Sequence, residues 1–115
     1  TRVELRNPDP SANPYLVLAL CLAAGLDGIK RKLEVPASVD CNIFDMTDEQ
    51  RKAAGVDILP GSLEEAVYCM KADPFIKEVL GEHIFNKYTQ AKMEEWDSYR
   101  TQVTQWEIDE YLAKF

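Results

Sequence analysis

Arg2-Val3-Glu4-Leu5-Arg6 alternates charged with apolar residues, and the run Asn7-Pro8-Asp9-Pro10-Ser11-Ala12-Asn13-Pro14-Tyr15 follows it. In an extended strand, alternate side chains point to opposite faces, so the charged residues share one face while Val3 and Leu5 face a core. We therefore expect a strand at about residues 1–6. Asn13 suits an N-cap and Pro14 the first helical position, so a helix should begin there.

The charged face of this strand sets one carboxylate, Glu4, between the guanidinium groups of Arg2 and Arg6. One interpretation is a solvated ladder of ion pairs, which the spacing by itself favours, because such alternation is typical of half-buried strands. The other is a site for an anionic ligand with a hard metal ion. A carboxylate oxygen suits Mg²⁺ or Mn²⁺, and guanidinium groups bind phosphate or carboxylate through paired hydrogen bonds.

The rest of the chain has helical signals, which predict a mainly α fold. Residues 14–33 are apolar on all sides, the pattern of a buried helix, and we expect this helix to form the core. Thr47 and Ser62 begin segments with capping-box spacing. Asp73-Pro74 opens a further helix that Gly81 can close, and a long helix should follow at about residues 82–101.

The C-terminal segment has a third capping box, Thr104-Gln105-Trp106-Glu107. Behind it, Ile108, Tyr111, Leu112 and Phe115 recur on one helical face. Two hypotheses explain this apolar face: the helix closes over its own core, or it docks into a groove on another subunit.

Composition excludes several classes of function. The formal net charge is −7 and the basic residues are dispersed, which argues against a nucleic-acid partner. The apolar run that ends at Leu26 is too short to span a membrane, and no secretory leader is visible, so we expect a cytoplasmic protein without a membrane partner. Three widely spaced cysteines and a single histidine indicate reduced thiols and no zinc site.

The first fifteen residues resemble the signature R-x-E-x-R-x-P-D-x-x-x-N-P-Y of type I glutamine synthetases, glutamate–ammonia ligases of nitrogen metabolism. Further blocks similar to that family occur in the same order, and the resemblance covers essentially the whole chain. These blocks are Ala24-Gly25-Leu26-Asp27-Gly28-Ile29-Lys30, Leu59-Pro60-Gly61-Ser62-Leu63-Glu64-Glu65-Ala66, Leu80-Gly81-Glu82-His83, Glu95-Trp96-Asp97 and Tyr99-Arg100-Thr101-Gln102-Val103.

The resemblance implies a fold and a parent protein. The family's enzymes are several times longer, so we expect residues 1–115 to be a single segment, the helical C-terminal part of an α/β catalytic domain. The parent enzyme would make glutamine from glutamate, ammonia and ATP through γ-glutamyl phosphate. It would assemble as a dodecamer of two stacked rings, in which residues 104–115 form a docking helix that uses Trp106, Ile108, Tyr111, Leu112 and Phe115.

The resemblance also implies roles for single residues. Glu4 would be a ligand of one of two divalent ions, Mg²⁺ or Mn²⁺. Arg2 would contact the phosphates of ATP, and Arg6 would hold the substrate glutamate or the transferring phosphoryl group. The other ligands would lie upstream, so no catalytic residue is assigned here and the isolated segment should be inactive. The alternative is a helical assembly module that docks through its C-terminal helix, including on regulators of nitrogen genes.

The chain departs from the family pattern at two places. Related enzymes often have His-Pro where this chain has Thr104-Gln105, which changes the start of the last helix. Some bacterial members carry Asn-Leu-Tyr-Asp, whose Tyr is adenylylated, and the matching residues here are Asn42-Ile43-Phe44-Asp45. Phe44 has no hydroxyl group, so we expect no control by adenylylation and favour feedback by glutamine or a regulatory protein.

Overall fold

The computed structural model describes residues 1–114, and these residues are mainly helical, as predicted. The five α-helices are α1 Pro14–Arg31, α2 Asp48–Ala53, α3 Leu63–Ala72, α4 Pro74–Arg100 and α5 Gln105–Tyr111. Short 3₁₀ turns lie at Ile43–Asp45 and Leu112–Lys114. Phe115, one of the predicted docking residues, lies outside the described residues.

The predicted N-terminal strand is wrong. Residues 1–6 have no regular secondary structure, and no strand occurs anywhere in residues 1–114. A strand is stabilised by backbone hydrogen bonds to a neighbouring strand, and the described chain offers none. The expected core face is consequently open, with Val3 99% exposed and Leu5 more than half exposed.

The first helix, α1, begins at Pro14 as its sequence predicts and ends at Arg31, two residues before the predicted end. The side-chain oxygen of Asn13 accepts hydrogen bonds from the backbone N–H groups of Tyr15 and Leu16, at 3.0 and 3.3 Å. At the other end, Lys32 adopts the left-handed conformation with φ 51°, and Leu33 N–H donates to the Gly28 carbonyl at 3.0 Å. These are the hydrogen bonds of a left-handed C-terminal cap.

The prediction that α1 is buried is wrong for the described chain. None of its residues is buried. The helix exposes a series of large apolar side chains, Tyr15, Leu18, Leu22, Leu26 and Ile29. The reason is that no other element within residues 1–60 packs closely on α1.

The chain divides into two compact units, residues Thr1–Pro60 and the part that begins at Gly61. In the first unit, α2 starts with the predicted capping box: Thr47 Oγ1 accepts from Gln50 N–H, and Gln50 Oε1 accepts from Thr47 N–H. In the second, Ser62 caps α3 by accepting from Glu65 N–H, while the Glu65 carboxylate accepts from Gly61 N–H at 2.8 Å. In a capping box the N–H of Ser62 itself would donate to Glu65, so here the donor lies one residue closer to the N-terminus.

The core of the second unit lies between α3 and α4. Its buried apolar side chains are Val67, Leu80 and Phe85. Thr89 is buried with them, and its hydroxyl donates to the Phe85 carbonyl at 2.9 Å. Within α4, Gly81 has φ 73° and ψ 155°, so the helix is kinked where the sequence predicts one helix to close and another to follow.

Candidate functional site

The charged cluster Arg2–Glu4–Arg6 forms in the structure although the strand does not. Arg2 donates from Nε and Nη2 to Oε2 of Glu4, at 3.4 and 3.3 Å. Arg6 donates from Nε to the other carboxylate oxygen, Oε1. Alternate spacing therefore places these three side chains on one side of the backbone, as predicted, and each oxygen of Glu4 faces one guanidinium group.

Exposure within the cluster is uneven. The side chains of Arg2 and Arg6 are largely exposed, whereas that of Glu4 is 43% exposed because the two guanidinium groups cover it. Arg carries five N–H donors in a planar fork. With only some of them directed at Glu4, both guanidinium groups can offer further N–H groups to an anion such as a phosphate oxygen or a carboxylate.

The cluster can supply part of a metal site. Glu4 provides two carboxylate oxygens, which are suitable ligands for Mg²⁺ or Mn²⁺. No group of three or more His, Cys, Asp or Glu side chains that could hold a metal ion occurs within residues 1–114. Since such ions need several ligands, the described residues fit a contribution of one ligand to a site completed by other groups.

A hydrogen-bonded turn at Asp9–Ala12 connects the cluster to α1. Ser11 donates to Oδ1 of Asp9 from its backbone N–H, at 2.7 Å, and from its hydroxyl. Ala12 N–H donates to the Asp9 carbonyl at 2.9 Å. The side-chain hydrogen bond from Ser11, followed by the backbone one, holds the pKa of Asp9 below its ordinary value. This turn is not among the elements predicted from the sequence, although Asp at its first position and Pro at its second are its signals.

The C-terminal surface presents most of the predicted docking residues. Helix α5 has its capping box, in which Thr104 and Glu107 bond reciprocally. Ile108, Tyr111 and Leu112 line one shallow apolar groove with Val103 and Glu107. Trp106 packs edge-on against the Tyr111 ring at 5.8 Å between centroids. The four described docking residues are at least one-third exposed, and Leu112 is 76% exposed.

The segment Asn42–Asp45 forms an exposed 3₁₀ turn. Asn42 caps it by accepting a hydrogen bond from Phe44 N–H at 3.2 Å, and its side-chain amide donates to Asp45 at 2.8 Å. The Phe44 side chain is 96% exposed. A hydroxyl at the end of this ring would be open to solvent, so the absence of a hydroxyl, rather than burial, distinguishes this position from a modifiable tyrosine.

None of the helices formed by residues 1–114 combines the length and apolar character that crossing a bilayer requires.

The family model for "Glutamine synthetase, catalytic domain" matches residues 1–111. Proteins named glutamine synthetase are similar over all 115 residues, at 56% identity in Clostridium saccharobutylicum, 52% in Thermus thermophilus and 50% in Staphylococcus aureus. The chain spans 26% of the length of each of these relatives. A solved structure described as "Apo GmaS without ligand" superposes with a TM-score of 0.74 and 34% identity, over 94% of this chain and 24% of that one.

Proposed function

The chain belongs to the glutamine synthetase catalytic-domain family, and from that premise we propose that it forms the C-terminal part of the catalytic domain of a glutamate–ammonia ligase. The observation that carries the proposal is the Arg2–Glu4–Arg6 cluster, in which two guanidinium groups flank one carboxylate. This arrangement combines a ligand for a hard cation with two binding groups for anions. ATP and glutamate, the substrates that the family suggests, need both kinds of group.

In the proposed reaction, an oxygen of the glutamate side chain attacks the terminal phosphorus of ATP and ADP leaves. Ammonia then attacks the carbonyl carbon of γ-glutamyl phosphate, phosphate leaves, and loss of a proton gives glutamine. Phosphoryl transfer depends largely on positioning and on neutralising negative charge. Arg2 would donate hydrogen bonds to ATP phosphate, and Arg6 would hold the glutamate carboxylate or the transferring phosphoryl group.

Glu4 would contribute one carboxylate ligand to a divalent cation, Mg²⁺ or Mn²⁺. When bound, such an ion neutralises phosphate charge and holds the reacting oxygens in place. Because Arg2 and Arg6 donate to both oxygens of Glu4, they also orient this carboxylate. One carboxylate does not make a site, so we propose that the 115-residue chain by itself is inactive and that other parts of the parent supply the remaining ligands.

We further propose that the parent is a homo-oligomer, a dodecamer of two stacked rings, and that residues 104–115 dock on a neighbouring subunit. The exposed groove on α5 supports this, since an apolar surface of this kind is suited to burial against another chain. We place the protein in the cytoplasm. The three free, exposed cysteines, Cys21, Cys41 and Cys69, suit a reducing compartment.

Regulation is proposed to differ from that of adenylylated relatives. Phe44 lacks the hydroxyl group that would accept a nucleotide, although its ring is exposed. We propose that feedback by glutamine or by a regulatory protein controls the parent instead. The exposed α5 groove also favours a second candidate function, an assembly module that docks on a partner such as a regulator of nitrogen genes.

The two functions are separated by a chimera that carries this chain in place of the 115 aligned residues of the Clostridium saccharobutylicum glutamine synthetase. We measure γ-glutamyl transfer to hydroxylamine, with ATP, glutamate and Mg²⁺ or Mn²⁺, on the chimera and on the isolated chain. Activity in the chimera and none in the isolated chain supports the ligase proposal. A chimera that assembles as the host does but has no activity overturns it in favour of the assembly module.

A further inference from the structure

Between Asp9 and the start of α1, the chain is held by a series of local hydrogen bonds. Ser11 donates twice to the Asp9 carboxylate, and Ala12 N–H donates to the Asp9 carbonyl. The next residue, Asn13, accepts from the first backbone N–H groups of α1. From Asp9 to the first turn of α1, therefore, each step of the chain is held by a local contact.

Proline restricts the same segment further. Pro8, Pro10 and Pro14 each fix their own φ near −65°, and each disfavours the helical conformation in the residue before it. Only Asn7 and Pro8 lie between Arg6 and Asp9. A rotation of the backbone at the turn would consequently displace Arg6, and with it the hydrogen-bonded carboxylate of Glu4.

We propose that Asp9 is a positioning residue: by closing the turn through Ser11, it holds the Arg2–Glu4–Arg6 cluster in a fixed orientation relative to α1. This inference rests on the proposed function, because the cluster matters for catalysis only if it binds the metal ion and the anionic substrates. Asp9 itself contacts no substrate in this proposal. Its carboxylate acts on the reaction through the backbone.

The proposal explains why an acidic side chain suits this position. A carboxylate accepts from the N–H and O–H of Ser11 together, and charge-assisted hydrogen bonds are the stronger kind. An amide oxygen retains the acceptor without the charge, whereas alanine removes it. Asp9→Asn therefore tests the loss of charge, and Asp9→Ala tests the loss of the turn.

The kinetic test uses the chimera defined above. Because a misplacement of about 1 Å can cost about a hundredfold in rate, Asp9→Ala should lower kcat at least about tenfold. Asp9→Asn, which keeps an acceptor oxygen, should retain most of the native kcat. Asp40→Ala is the matched control, since it also removes a hydrogen bond between a serine hydroxyl and an aspartate, at 2.9 Å from Ser38, far along the sequence from the cluster.

A double-mutant cycle decides whether Asp9 acts through Ser11. If it does, Ser11→Ala alone should lower kcat, and adding it to Asp9→Ala should lower kcat little beyond the single Asp9→Ala change, because the turn is already open. Fully additive losses would overturn the proposal, since they would mean that Asp9 acts on the substrates independently of the turn.

A second measurement does not depend on activity. In the 115-residue chain, ¹⁵N relaxation should show increased backbone motion at residues 4–8 in Asp9→Ala but not in Asp9→Asn or Asp40→Ala. Unchanged motion in Asp9→Ala overturns the positioning role whatever the kinetics show. An inactive chimera with native Asp9 overturns the proposed function instead, and the relaxation result then still decides whether Asp9 orders the cluster.

Discussion

Glu4 and Arg6 are joined by a hydrogen bond from Nε of the guanidinium group to Oε1 of the carboxylate. Arg2 faces the other oxygen of the same carboxylate. Both arginines are largely exposed, and exposed ion pairs contribute only about 0–1 kcal/mol to folding. Stability is therefore a weak explanation for two guanidinium groups converging on one carboxylate, whereas the proposed binding of a cation and of anions would use all three groups.

The first prediction concerns Glu4. In the chimera, Glu4→Ala should reduce metal-dependent turnover by at least about a hundredfold, the usual size of losing one group that stabilises charge at a reacting centre. Assembly should be unchanged, as measured by analytical ultracentrifugation. Glu34→Gln is the matched control, because Glu34 is an exposed acidic residue outside the cluster. Near-normal turnover in Glu4→Ala would remove Glu4 from the metal site.

The second prediction concerns the C-terminal docking surface. Ile108→Asp combined with Leu112→Asp places two charges in the exposed apolar groove of α5. Burying an unpaired charge is costly, so the oligomer should dissociate, and truncation after Val103 should have the same effect. Native mass spectrometry of the chimera measures the subunit number. Asp109→Ala, on the same helix but outside the groove, should leave the oligomer intact, and intact oligomers in all variants would disprove the docking role.

The third prediction concerns modification at Phe44. Incubation of the chimera with ATP and an adenylyltransferase should leave this position unmodified, because its ring has no hydroxyl group. Phe44→Tyr adds an exposed hydroxyl at the same place and should become an acceptor. Peptide mass spectrometry checks both proteins. A nucleotide ester on the native turn Ile43–Asp45 would contradict the prediction.

The fourth prediction concerns the kink in α4. Gly81 has φ 73° and ψ 155°, a region that side-chain-bearing residues avoid at a cost of about 1–3 kcal/mol. Gly81→Ala should lower the free energy of unfolding by that amount, although a Cβ there would meet no neighbouring atom within 4 Å. Gly25→Ala is the opposite control, since Gly25 lies inside α1 with equal space and alanine should stabilise the helix by about 0.5–1 kcal/mol. Urea denaturation followed by circular dichroism measures both changes.

The helices and their ends could be predicted from the sequence because their causes are local. Asn13 before Pro14, Thr47 with Gln50, and Thr104 with Glu107 each form the hydrogen bonds that their spacing predicts. The kink at Gly81 is equally local, since only glycine readily adopts its backbone angles. The pairing of Arg2 and Arg6 with Glu4 also needs no more than alternate spacing.

The strand and the burial of α1 could not be predicted correctly because both depend on partners. Hydrophobic pattern indicates that Val3 and Leu5 prefer a core, yet nothing in residues 1–114 covers them. The same holds for Leu18 and Leu22 of α1. The apolar pattern of the sequence therefore shows which surfaces are suited to burial. It does not show whether another segment is present to cover them. The turn at Asp9 was missed for another reason, since its signals lie inside a motif that was interpreted for its charges.

The fifth prediction concerns the pH dependence of the α5 cap. Hydrogen bonds from the backbone N–H of Thr104, and then from its hydroxyl, hold the pKa of Glu107 below its ordinary value. A lowered pKa in the folded chain means that the cap stabilises α5 at neutral pH and that this contribution is lost as the pH falls through the folded pKa. Glutamate ordinarily titrates at about pH 4.3, so the loss should occur below that value. An NMR titration should show the Thr104 amide resonance shifting with the Glu107 carboxylate, and Glu107→Gln should abolish that shift while keeping an acceptor oxygen. A Thr104 resonance that shifts equally in the Glu107→Gln variant would show that the reciprocal bond does not control the cap.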